Sequence, residues 1–227
     1  MTSPIIIALD ANYERSMNLA KSFDPKMCRL KVGSQLFTSI GPRVVEELCS
    51  LGYEVFLDLK FHDIPNTVFG AVKSSAELGV WMLNVHISGG SNMIKHAKRA
   101  LDTYTNPPLI VGVTILTSLS DKDVDEIGIT NLSKSVMNLS RLAKDNGLDG
   151  VVSSPREVAD IKKHCGKDFI TVTPGIRPTS IDDDQTRILT PKEALDNGSD
   201  YLVIGRPVTE SPNPLKSLEQ ILKDIEI

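Results

Sequence analysis

Short apolar runs alternate along this chain with longer segments in which apolar residues return at helical spacing. The runs are Ile5–Leu9, Arg29–Gly33, Tyr53–Leu57, Trp81–Val85, Leu109–Ile115, Gly150–Ser153, Phe169–Thr173 and Tyr201–Ile204. They are brief, rich in β-branched and aromatic residues and bounded by turn formers, which predicts buried strands. Between them the spacing predicts helices. Asn12 caps one that runs to about Lys21, and a second occupies residues 41–50 with Val44, Val45 and Leu48 on one face. Pro65 opens a helix to about Leu78, and Gly89-Gly90 leads into one that ends near Tyr104. Others span Leu132–Asn146, closed by Gly147, then Pro155–His164, Pro191 to about Asn197, and Leu215–Ile225. Two connections read as polar and irregular, Ser120–Thr130 and Pro178–Leu189. The second, with Asp182-Asp183-Asp184 in its middle, suits a mobile loop.

Strands alternating with helices imply a parallel sheet joined by right-handed crossovers. Eight such units in 227 residues, with no linker-like break, predict one domain over residues 1–227. Its expected architecture is a single (β/α)8 TIM barrel near the minimum size. An open doubly wound sheet is the alternative, but no GxGxxG follows the first strand.

Composition narrows the function classes. With 41% hydrophobic and 24% charged residues the chain reads as a soluble globular protein with a full core. A net charge of −4 and the lack of a long basic run argue against a nucleic-acid partner. Ile5–Leu9 is too short to cross a bilayer and has no charged segment before it, so neither a membrane span nor a signal peptide is expected. Cys28, Cys49 and Cys165 form no CxxC pair, which fits reduced thiols in a cytoplasmic protein. His96 and His164 fall in polar helical segments and are expected at the surface. No HExxH, EF-hand or His/Cys cluster offers a metal site.

The chemistry gathers where the strands end. The stretch Leu57 to Thr67 reads LDLKFHDIPNT, and it closes an apolar strand with Asp58, Lys60 and Asp63. Asp58 and Lys60, two residues apart, leave one face of an extended strand about 7 Å apart. Ionised groups on such a strand are costly unless paired. In a barrel all carboxyl ends of the strands meet on one face. Those ends read Asp10, Lys31, Asp58 with Lys60, His86, Thr117 with Ser118, Arg177, and Gly205 with Arg206. A lone histidine there is more often a hydrogen-bonded core residue, and a lone serine a helix cap. Polar ends on strands whose bodies are Ile, Val, Leu and Phe predict a shared pocket.

One side of that pocket matches a phosphate site. Loops after the seventh and eighth strands of such barrels commonly hold phosphate. Gly175 and Gly205 permit close backbone approach, and the forked donors of Arg177 and Arg206 suit a dianion. Gln185, in the polar loop between them, could add an amide contact. The other side carries Lys31, Asp58, Lys60 and Asp63, two cations and two anions that neutralise one another without metal. A Schiff-base lysine needs a desolvated, neutral amine, whereas flanking carboxylates favour the ammonium form of Lys60. Lys60 therefore reads as a proton donor beside a fixed carboxylate. Such a pair suits expulsion of a substrate carboxylate and protonation of the carbanion left behind.

At these residues the chain resembles the orotidine 5′-phosphate decarboxylase family, and the resemblance spans the whole sequence. The motifs are ALD at Ala8 to Asp10, KVG at Lys31 to Gly33, DLKFHDIPNT at Asp58 to Thr67 and NVH at Asn84 to His86. They continue with LTS at Leu116 to Ser118, TPGIRP at Thr173 to Pro178 and IGRP at Ile204 to Pro207. The resemblance implies decarboxylation of orotidine 5′-monophosphate to uridine 5′-monophosphate in pyrimidine synthesis, without a cofactor. It implies that Lys60 protonates C6, that Asp58 lies against the leaving carboxylate, that Lys31 orients Asp58 and a ribose hydroxyl, and that Asp10 binds ribose. Thr117 and Ser118 would face the pyrimidine, with Gln185, Arg177, Gly205 and Arg206 on the phosphate side. A homodimer is implied too, in which Asp63 and Thr67 enter the partner's site. Two rivals are a Mg²⁺-dependent sugar-phosphate relative on the same barrel and a catalytically silent phosphate-binding barrel. Clustered Lys31 and Lys60 with the Thr117-Ser118 pair count against the first, and the presence of Asp58 and Lys60 against the second.

Overall fold

A computed structural model describes residues 3–177 and 189–225. Its strands are β1 (Ile5–Ala8), β2 (Arg29–Gly33), β3 (Val55–Phe61), β4 (Met82–His86), β5 (Leu109–Val113), β6 (Gly150–Val152), β7 (Ile170–Thr173) and β8 (Tyr201–Ile204). They pair in parallel in chain order and β8 returns to β1, which closes the barrel expected from the sequence. Strand alternation divides the apolar residues between two layers. Ile6, Ala8, Phe56, Met82, Val111, Val172 and Val203 form one cluster inside the barrel. Ile5, Ile7, Leu30, Val32, Val55, Leu57, Leu83 and Val85 join a second cluster beneath the surrounding helices.

The same period stacks polar groups above and below the inner apolar layer. At the amino-terminal end Arg29 is buried, with its guanidinium over the Trp81 ring at 4.2 Å and near the Tyr201 ring at 5.1 Å. It donates to the Ser3 carbonyl at 2.6 Å and pairs with Glu54 at 2.7 Å, so the floor of the barrel is filled. Two residues on from Arg29 is Lys31, two on from Phe56 is Asp58, and two on from Met82 is Asn84. All three are buried at the carboxyl-terminal end.

The helices are α1 (Tyr13–Ser22), α2 (Ser34–Ile40), α3 (Arg43–Ser50), α4 (Pro65–Glu77), α5 (Gly90–Arg99), α6 (Asp121–Glu126), α7 (Leu132–Asp145), α8 (Val158–Cys165), α9 (Pro191–Asp196), α10 (Arg206–Thr209) and α11 (Pro214–Asp224). Asn12 caps α1 by accepting from the Arg15 N–H, and Pro65 starts α4. Three helices are absent from the sequence reading, and α5 ends at Arg99 rather than near Tyr104. α2 buries only Leu36, too little to leave a periodic signal. α6 lies in the connection read as irregular and begins at a reciprocal capping box between Ser120 and Asp123. α10 is four residues long, below the reach of a periodicity argument. Pro155 does not open a helix either. Residues 155–157 form a turn closed by Glu157 Oε2 on the Ser154 N–H at 3.0 Å, and α8 begins only at Val158. Among the described residues no helix is long and apolar enough to cross a membrane.

Candidate active site

The strand ends converge on a cavity of about 380 Å³ at the carboxyl-terminal mouth of the barrel. Its wall includes Asp10, Lys31, Asp58, Lys60, Thr117, Ser118, Gly175, Arg177, Gly205 and Arg206, and the apolar layer beneath reaches it through Ala8, Phe56, Val152 and Val203. Ten of the predicted site residues therefore share one space. Thr209 and Glu210, which the sequence did not single out, also line it.

Four of these residues form a chain of alternating charge. Lys31 Nζ lies 3.2 Å from Asp10 Oδ1 and 3.1 Å from Asp58 Oδ2, and Lys60 Nζ lies 2.7 Å from Asp58 Oδ1. Burial alone would push the Asp58 carboxyl up. The Lys31 and Lys60 charges, with hydrogen bonds from Lys60 and Asn84, outweigh it and hold Asp58 below the usual carboxylate range. Burial likewise opposes the charge on Lys31, but Asp58 and Asp10 together raise it above an ordinary lysine. The buried members of the array are thus ionised and mutually compensated, the condition under which buried charge is tolerated. Gly33 leaves room for the first link, since a Cβ there would stand 3.1 Å from both Asp10 Oδ1 and Lys31 Nζ.

Lys60 does not simply alternate with Asp58 on a flat strand, as the sequence suggested. Its φ is +52°, and Lys60 is the only non-glycine residue with positive φ among those described. The β3–β4 register shifts there: Leu57 pairs with Leu83, whereas Phe61 pairs with Val85. This bulge brings the ammonium back onto Asp58.

Across the cavity, Arg177 is buried and donates through Nη1 to the Ile176 carbonyl at 3.1 Å. Its backbone N–H donates to the Leu189 carbonyl, beside a parallel bridge between Ile176 and Leu189. Gly175 has φ +79°, a turn that disfavours any side chain. Gly205 precedes α10, so Arg206 opens that helix at the cavity wall. Gln185 and residues 178–188 of the expected loop lie outside the described residues.

Asp63 and Thr67 are exposed and line a separate groove with His62, Val68 and Ala71, which shares Lys60 with the first cavity. Asp63 Oδ1 accepts from the Ile64 N–H at 2.6 Å, a contact within its own turn. His86 ends β4 but is absent from the cavity wall. Its ring stands 5.4 Å from that of His62, and burial, then His62 and Lys60, keep its pKa below the ordinary value. Cys28, Cys49 and Cys165 are free thiols, none of them in the cavity wall.

A sequence model of the family described as "Orotidine 5'-phosphate decarboxylase / HUMPS family" matches residues 3–221. The chain belongs to this family. It is similar to an orotidine 5′-phosphate decarboxylase of Saccharophagus degradans, 53% identical over 224 residues that cover 97% of this chain and 94% of that one. One from Legionella pneumophila strain Corby is 51% identical over 229 residues, 99% of this chain and 100% of the relative. Among solved structures, orotidine 5′-phosphate decarboxylase from Lactobacillus acidophilus matches with a TM-score of 0.87 at 39% identity, over 99% of this chain and 100% of that one. An uncharacterized conserved protein from Geobacillus kaustophilus matches with a TM-score of 0.84 at 36% identity, over 98% and 100% of the two chains.

Besides Thr209 and Glu210, two residues of this family member's site escape the sequence reading. Asn84 was seen only as part of NVH, and Gly33 only as part of KVG. The signal for Asn84 is a polar residue two on from Met82, at the spacing that faces the barrel interior. For Gly33 it was the absence of a side chain two residues after Lys31.

Proposed function

We propose that this chain decarboxylates orotidine 5′-monophosphate to uridine 5′-monophosphate, a step of pyrimidine synthesis, with no cofactor. The observation that carries the reading is the self-neutralised Asp10–Lys31–Asp58–Lys60 array on one wall of a cavity whose other wall holds Arg177 and Arg206. Its volume of about 380 Å³ falls in the range of small-molecule sites. Relatives named for this activity, about half identical over nearly the whole chain, support the same substrate.

In the proposed reaction Arg177, Gly205 and Arg206 hold the phosphate, with Gln185 beside them, and Thr117 and Ser118 meet the pyrimidine. Asp10 and Lys31 bind the ribose. The substrate carboxylate arrives against Asp58, whose ionised state makes that position unfavourable for a second anion. The bond from C6 to the carboxylate breaks, carbon dioxide leaves, and the electron pair stays on C6. The Lys60 ammonium stabilises that carbanion and then gives it a proton; the neutral amine regains one from water. While the bond breaks, charge moves from the carboxylate to C6 and the protein's own charges stay where folding put them; they change only when Lys60 gives up its proton. Asp63 and Thr67, exposed beside the 68% exposed Ile64, would complete the site of a second copy in a cytoplasmic homodimer.

The test is to add purified protein to orotidine 5′-monophosphate and follow loss of its absorbance and appearance of the product. Turnover that persists after dialysis against EDTA is expected. No product overturns the reading, and activity lost to EDTA and restored by Mg²⁺ would move it to the sugar-phosphate chemistry.

A further inference from the structure

The bulge that presents Lys60 is held by a residue to which the reaction above gives no part. Where the β3–β4 register breaks, the Lys60 N–H meets no ladder carbonyl of β4. It donates instead to Asn84 Oδ1 at 2.8 Å. The other end of that amide, Nδ2, donates to Asp58 Oδ1 at 2.6 Å. Asn84 is fully buried. Its orientation is dictated by its partners, because a backbone N–H can only donate and an ionised carboxylate can only accept. A neutral side chain of this length carrying both a donor and an acceptor is asparagine. An ionised aspartate cannot donate, and an alanine can do neither.

We propose that Asn84 is the positioning residue of the reaction: its amide spans the bulge, holding the Lys60 backbone in its left-handed turn and the Asp58 carboxylate in register with the ammonium. The inference rests on the decarboxylation reading. Without the amide, the Lys60 backbone would relax to negative φ, where a lysine is unstrained, and the ammonium would swing off Asp58 Oδ1. Asn84 touches no substrate in this arrangement. It acts through the two groups that do.

The decisive variant is Asn84→Asp, which preserves shape. Protonated, the new acid reproduces both bonds, its hydroxyl donating to Asp58 and its carbonyl accepting from Lys60. Ionised, it cannot donate and faces Asp58 as a like charge. The groups around it are Asp58 and Lys60 on β3, Lys31 on β2 through Asp58, and His86 on its own strand with the tilted His62 ring 5.4 Å from it. Its register partner on β5, Val111, is apolar. Burial and Asp58 favour the protonated acid, and the lysines oppose them. Every other group around the site is common to both proteins, so the quantity to follow is the ratio of variant to wild-type kcat against pH. That ratio is expected to fall as pH rises and to recover when pH is lowered again. Asn84→Ala is expected to lose about 100-fold in kcat, as a misplaced catalytic group does, while uridine 5′-monophosphate binds within about threefold of wild type.

A merely structural asparagine would lower melting temperature in both variants without a pH-dependent ratio. A flat ratio therefore overturns the proposal, as do variants whose kcat stays within about threefold of wild type. An Asn84→Asp chain that folds at no pH overturns it too, since Asn84 would then be a folding determinant. Wild-type protein that makes no product overturns the decarboxylation reading first, whereas active wild type with unaffected variants overturns the positioning role alone.

Discussion

In the proposed reaction Lys60 both neutralises Asp58 and supplies the proton, so its removal costs two things at once. Lys60→Ala is expected to lower kcat by at least about 10³-fold while uridine 5′-monophosphate still binds, measured by product formation and by titration calorimetry. A rate within about tenfold of wild type would take Lys60 out of the transition state. On the opposite wall, Arg206→Ala is expected to lose about 1.5–3 kcal/mol of transition-state stabilisation, roughly 10- to 150-fold in kcat/KM. Steady-state kinetics on the phosphorylated substrate checks this, and an unchanged kcat/KM would remove Arg206 from the phosphate site. The charged members of the array were legible in the sequence because acid and cation are rare on apolar strands. Asn84 was not, because a neutral amide gives no such contrast. Its role also depends on a bulge, and the period-two rule that found Asp58 and Lys60 assumes that no bulge is present.

Among elements, the strands were the most legible, since each alternates between two apolar layers and so reads as a nearly continuous hydrophobic run. β2 and β8 have the boundaries expected from the sequence. Short helices were the least legible. α2 and α10 each bury a single apolar side chain, Leu36 and Val208, and their shape comes from packing rather than from pattern. α6 carried its signal openly in Ser120-x-x-Asp123, and an apolar face too short to register hid it. The floor of the barrel invites a test at this scale. Arg29→Ala removes two aromatic stacks and the bond to the Ser3 carbonyl, while the pair with half-exposed Glu54 counts for little. A loss of about 2–4 kcal/mol in urea unfolding is expected, with kcat unchanged, because the guanidinium lies at the end of the barrel remote from the cavity. A loss below about 1 kcal/mol would show that the plug fills space without stabilising it.

At the scale of the whole molecule, the question is whether one chain contains a complete site. Asp63 and Thr67 lie in a groove beside the cavity rather than in it, so the proposed dimer makes a sharp prediction. Lys60→Ala and Asp63→Ala chains, each nearly inactive, are mixed under conditions that exchange subunits. In a mixed twofold dimer one site collects both defects and the other neither, so random pairing leaves roughly a quarter of all sites intact. Recovered turnover supports a shared site. None recovered after exchange is verified by mass spectrometry assigns Asp63 to its own chain. The filled floor bears on traffic. With Arg29, Trp81 and Tyr201 closing one end and apolar side chains packed above them, the described residues leave no passage through the floor of the barrel, and whatever enters at the mouth must back out that way. Each turnover is then a queue of one. The nucleotide just made blocks the next until it departs, so product competes with substrate for the doorway itself, and crowding by product would throttle the enzyme with no second site to sense it.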